Sequence, residues 1–229
     1  MVLSSRGAGF GWGGALDDDI HKLVEMVTEL GIEVEDILFN AVSALLGEGI
    51  HGAQQAPRAA MECEARYQQA HQLGLDLLMG GRASAEQVRW IMELQELGLA
   101  FRRIAQESTR IATQSLELQL PAEDVLEQVG AKINLLEYLV EQTRMQVRNA
   151  IIYTTSRDRE NARSILEEST DLQLAYNVLN DRVQVAIGEH PRESFPMQQV
   201  LGIATRLENI GVLCSGVSTA VLFDPPSQH

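Results

Sequence analysis

The chain has 229 residues, is 45% hydrophobic and carries a formal net charge of −14, with a pI near 4.7. That acidity excludes a nucleic-acid binder, which needs a basic surface to displace counterions, and excludes docking on anionic lipid through charge. The apolar content is enough to bury a core in one domain or two small ones. It is too high for a disordered chain.

Residues 1–16 read as a flexible glycine-rich tail without the apolar stretch of a secretory signal. From Asp17 the pattern changes. Ile20, Leu23, Val27, Leu30, Val34, Ile37, Leu38, Ala41 and Leu45 recur at spacings of three and four, the stripe of an amphipathic helix. Asp17, Asp18 and Asp19 favour the positive end of its dipole. Gly47 and Gly49 mark its end, about 30 residues or ~45 Å on. The segment Ile50 to Ala56 reads as a linker, and Pro57 as the first turn of a second helix that runs to Gly80-Gly81. Its stripe is Met61, Tyr67, Ala70, Gly74, Leu75 and Leu78, with Glu62 and Glu64 close by.

Ser84 followed by Gln87 predicts a capping box. The third helix then carries Val88, Ile91, Leu94, Leu97, Phe101, Ile104 and Ile111 to about Leu118. Pro121 predicts the start of a fourth helix through Leu126, Val129, Ile133, Leu136, Val140, Val147 and Ile151, with a soft break at Thr154-Thr155-Ser156. A fifth helix from about Arg157 uses Ala162, Ile165, Leu172, Tyr176, Leu179 and Val183, and Gly188 is expected to stop it. Ser194 opens a sixth, with Val200, Ile203, Leu207, Ile210, Cys214 and Val217, and Asp224-Pro225-Pro226 ends it. No segment alternates with period two, so the fold class is all-α. No apolar run reaches the ~20 residues that span a bilayer, and direct membrane insertion is not expected.

The halves echo one another. Ile37 to Val42 falls on Gln146 to Ile151, and Arg103-Ile104-Ala105 falls on Asn209-Ile210-Gly211, at offsets of 109 and 106. Similar offsets with small indels are what a duplicated three-helix unit leaves.

At Arg206-Leu207-Glu208-Asn209-Ile210-Gly211, with Ala204 before it and Val221-Leu222-Phe223 after it, the chain resembles the PhoU family. In that family each half ends in a helix with a Leu-Glu-Arg-Ile-Gly-Asp-like motif. Arg102-Arg103-Ile104, Ile111-Ala112, Asp158 to Ala162 and Asp171 fit the same layout, over about residues 17 to 223. The resemblance implies two tandem antiparallel three-helix bundles at 17–119 and 120–223, with tails at 1–16 and 224–229. It also implies a cytoplasmic, non-enzymatic adaptor, often a homodimer, that restrains phosphate uptake and phosphate-starvation signalling. Its partners would be a phosphate-transporter ATPase and a sensor histidine kinase. A helical scaffold or dimerisation protein unconnected with phosphate is the alternative.

The departures bear on chemistry. The family's Glu-x-x-x-Asp places two carboxylates on one helix face, where they can share a cation. Here the second copy keeps Glu208 but has Val212, and the first has Arg102 and Gln106. Glu208 is the residual motif carboxylate. No metal site, catalytic residue or cofactor is expected.

Other patterns point to structure. The histidines His21, His51, His71, His190 and His229 do not supply the two Glu-x-x-His motifs of a di-iron bundle. Glu64 and His71 share a face read as solvated. Cys63 and Cys214 lie on or beside apolar stripes as small buried hydrophobes, with neither disulfide nor zinc spacing. Trp90 is expected in the core, with a partner surface as the alternative. The run Gly7 to Gly14 follows no strand and precedes no Lys-Ser/Thr, so it is no phosphate cradle.

Overall fold

A computed structural model of the chain describes residues 14–118, 125–126, 134–189, 191 and 194–223. Among these the elements are helices: α1 (Ala15–Leu45), α2 (Ile50–Met79), α3 (Ala85–Glu117), α4 (Asn134–Ser156), α5 (Arg159–Glu189) and α6 (Ser194–Phe223). No strand occurs among the described residues. Val125 and Leu126 are helical and buried. The expected helix start at Pro121, Val129, Ile133, the expected stop at Asp224 to Pro226 and the glycine-rich run lie outside the described residues.

The apolar stripe of α1 is buried along its whole length, from Ile20 to Leu45. The turn after it needs two left-handed residues, Gly47 (φ +86°) and Gly49 (φ +68°), a conformation that glycine adopts without a Cβ penalty. The capping box at Ser84 and Gln87 forms as its spacing predicts, with both reciprocal bonds present. Gln87 Nε2 also donates to Asp17 Oδ1 at 2.8 Å, which ties the start of α3 to the start of α1. These two helices therefore run parallel, with α2 antiparallel between them.

Three sequence readings are corrected. The segment from Ile50 to Ala56 is helix, and Pro57 sits inside α2. A proline there forfeits one intrahelical hydrogen bond, but Ala53 and Ala56 are 1% and 2% exposed, and their packing carries the helix through. Met61 is 74% exposed; Cys63 and Leu77 are buried in α2, and Leu75 faces outward. Gly188 does not stop α5, which continues to Glu189.

Helices α1, α2 and α3 pack on one another, as do α4, α5 and α6. The two bundles meet through α3 against α6 and α1 against α4, leaving α2 and α5 on the outer flanks. Burial corresponds between the halves at the offsets of the sequence echo. Leu38 and Ala41 of α1 correspond to Val147 and Ala150 of α4 at the first offset, and all four are buried. Ala53, Ala56, Ala70 and Leu77 of α2 correspond in the same way to Ala162, Ile165, Leu179 and Ala186 of α5. In α3 and α6 the shorter offset aligns Leu97, Phe101, Ile104 and Ser108 with Ile203, Leu207, Ile210 and Cys214. The change of offset falls between the second and third helices of a half, where a loop absorbs it.

The stretch Ser194–Thr219 of α6 is long and apolar enough to cross a membrane, with hydropathy 1.3 in its most apolar window. This corrects the expectation that no run approaches that length. The helix lies against the second bundle and α3, with Val200, Ile203, Ala204, Leu207 and Ile210 each 0% exposed. Of its most apolar window, 44% is buried inside the fold.

Candidate functional site

The two positions that carry the family motif lie on the outer halves of their bundles, where α3 faces α2 and α6 faces α5. In the first bundle Arg102 projects from α3 toward α2. Its Nε donates to Glu64 Oε2 at 2.5 Å, and its guanidinium stands 5.2 Å from the centroid of the Tyr67 ring. Tyr67 in turn stacks on His71, with centroids 5.5 Å apart, and His71 bonds to Gln95. Gln68 Nε2 donates to the other Glu64 oxygen at 2.9 Å. The hydrogen bond from Arg102, then that from Gln68, holds the Glu64 carboxyl below the usual carboxylate range. The partner of Arg102 is thus Glu64, and Glu64 and His71, read as a solvated face, are instead each engaged with α3, through Arg102 and Gln95.

The second bundle presents the same frame with other chemistry. Glu208 takes the place of Arg102, Tyr176 that of Tyr67 and Gln173 that of Glu64. Tyr176 bonds to Thr205 through its hydroxyl at 3.1 Å. Glu208 is half-buried with no salt bridge among the described residues, and desolvation raises its pKa. Val212, at the position of the motif aspartate, is 52% exposed. Arg206 turns the other way, to Glu107 (2.8 Å) and Gln114 (2.9 Å) on α3, and joins the bundles.

Metal binding at these positions asks for several converging oxygen ligands. Among the described residues no three His, Cys, Asp or Glu side chains come together in that way. The donor set does not fit: one half offers a guanidinium beside a carboxylate, the other a lone carboxylate.

Sequence reasoning missed a cleft of about 190 Å³ between α1 and α2, lined by Glu33, Asp36, Asn40, Gln55, Glu62 and Cys63 among others. At the equivalent place in the second half stands a longer side chain. Glu168, which corresponds to Ala59, accepts from Asn149 Nδ2 at 3.2 Å and Ser164 Oγ at 2.8 Å. The small Ala59 and Gly52 leave the first cleft open, and their sizes were the one available signal. Cys63 lies at its floor with Sγ 3.7 Å from Glu33 Oε2, and burial, then the Glu33 charge, pushes its thiol up to about 12. Burial does the same to Cys214, again to about 12. Both are buried, and a thiol so protonated is a poor nucleophile. Trp90 is 4% exposed; Tyr153 meets its edge and Arg157 covers its face at 4.5 Å.

No family model matches the chain, and no curated protein matches it. Among solved structures it is similar to PhoU from Pseudomonas aeruginosa, at TM-score 0.82 and 17% identity over 91% of this chain and 97% of that one. It is also similar to the phosphate transport system regulatory protein PhoU from Streptococcus pneumoniae, at TM-score 0.77 and 16% identity over 91% and 95%. At such identities the likeness rests on backbone arrangement, and what it shows is that this chain has the two-bundle PhoU-like fold.

Proposed function

We propose that this chain is a PhoU-like regulator of phosphate transport that acts through protein contacts rather than catalysis. The observation that carries the reading is the match along nearly the whole of both chains to two PhoU structures, one of which is described as a phosphate transport system regulatory protein. The finer reading is a cytoplasmic homodimeric adaptor between a phosphate-transporter ATPase and a sensor histidine kinase. Its repeat units are 17–119 and 120–223. One observation favours the second reading, a helical scaffold unconnected with phosphate: Arg102, Gln106 and Val212 replace three of four motif carboxylates.

Deletion of the gene decides between them. A phosphate regulator predicts alkaline phosphatase expressed, and phosphate uptake raised, in phosphate-replete medium, with both restored by the intact gene. A deletion strain that keeps normal repression of both contradicts the phosphate reading and leaves the scaffold.

A further inference from the structure

We propose that the Arg102 guanidinium is the resident cation of the first bundle: tethered to α3, it occupies the place between α2 and α3 where a bound ion would neutralise Glu64. The inference rests on the fold equivalence and on side-chain geometry, not on the phosphate role, so the two fail separately.

Three observations converge on it. The position is the one at which the fold's motif calls for a carboxylate, and the facing side chain on α2 is still a carboxylate, Glu64. A glutamate at 102 would therefore face Glu64 across the helix pair, and an aspartate at 106 would stand one turn further along α3. That is the start of an oxygen-ligand set. With Arg102 in place the charge is already compensated at 2.5 Å. The guanidinium is further held by Tyr67, whose ring faces it and attracts it through the quadrupole. The second bundle gives the contrast: by the repeat offsets Gln173 and Tyr176 stand where Glu64 and Tyr67 do, and Glu208 has no salt bridge among the described residues. A guanidinium stays charged at any physiological pH and does not dissociate. The joint between α2 and α3 is therefore independent of metal supply.

The test compares the full-length chain with Arg102→Glu/Gln106→Asp, both purified without chelator and dialysed against Mn²⁺ alone. The proposal expects the unaltered protein to stay at background and the double variant to bind Mn²⁺ about tenfold more tightly or better. Stoichiometric Mn²⁺ on the unaltered protein that Glu64→Gln removes would overturn it, as would a folded double variant that binds no better. Where the double variant does not fold, Arg102→Lys and Arg102→Gln serve in its place. The melting temperature is expected to fall with Arg102→Gln and to be largely kept with Arg102→Lys, which retains the cation, while that of the parent ignores both Mn²⁺ and chelator. Two variants that melt alike, or a parent that Mn²⁺ stabilises, contradict the proposal.

Discussion

The two bundles share a skeleton and differ in how they settle charge at the same two places. Between the second and third helices, the first bundle holds an Arg102–Glu64 pair over Tyr67, and the second holds Glu208 with no salt bridge among the described residues. Between the first and second helices they differ again: the first bundle has a cleft at Ala59, and the second places Glu168 at the equivalent position, bonded to Asn149. Most buried positions of one half correspond to buried positions of the other, so these differences are not consequences of a different core. The hydrophobic pattern fixes where helices lie, and a few polar substitutions on that frame decide which half is closed and where.

The comparison can be broken most forcefully at the glycines, because the two halves exchange them. Gly211 has Ala105 as its counterpart, and Gly31 has Val140. A Cβ on Gly211 would stand 2.2 Å from Leu172 Cδ2, and one on Gly31 would stand 2.8 Å from Ile151 Cγ1 and 2.9 Å from Phe101 Cζ. Phe101 and Leu172 are 0% and 1% exposed, so a shift of either ring or branch displaces other buried side chains. Gly31→Ala and Gly211→Ala are each expected to cost roughly 1–3 kcal/mol in urea unfolding, as overpacking does. Ala105→Gly, where the other half already accepts glycine, should cost only the helix-propensity difference of about 1 kcal/mol. Equal costs at all three positions would show that the helices do not approach as described.

A smaller effect is expected at the junction. Arg206 and Glu107 have side chains 27% and 16% exposed, and Arg206→Ala removes bonds to Glu107 and Gln114 together. A loss of about 1–2 kcal/mol is expected, with the same m-value if the bundles unfold together. A drop in m-value with two transitions would mean that this pair is what couples them.

Much of this architecture was legible in sequence. The stripe of α1 from Ile20 to Leu45 and the Ser84–Gln87 box needed only periodicity and capping chemistry, and the echo of Leu38 in Val147 gave the repeat. The second helix was misread because its buried face is built largely from small residues, Ala53, Ala56, Cys63, Ala70 and Gly74. A stripe of low hydropathy is easily mistaken for the larger Met61 and Leu75 beside it. The Pro57 signal then misplaced its start. At the candidate site, Arg102 was visible as a departure from the motif and Glu208 as its residual carboxylate. The partner of Arg102 was not, because spacing along one helix does not encode which residue a neighbouring helix turns toward it.

The smallest effects test the central claim most directly, since Glu64 and Glu208 should respond to pH with opposite sign. The folded-state pKa of Glu64 is lowered, first by the hydrogen bond from Arg102. Its contribution is therefore present above the ordinary carboxylate value and is lost as pH falls through the folded one. The folded-state pKa of Glu208 is raised by burial, so its contribution is present at acid pH and is lost as pH rises through the folded value. The decisive measurement is urea unfolding of the parent, Glu64→Gln and Glu208→Gln at neutral pH and near pH ~3. At neutral pH, Glu64→Gln should lose about 0.5–1 kcal/mol, a figure discounted for the solvent exposure of the pair. Glu208→Gln should be more stable than the parent. Both differences should shrink at acid pH. Two variants that shift in the same direction at neutral pH would contradict the account, because the two sites would then not differ in how their charge is settled.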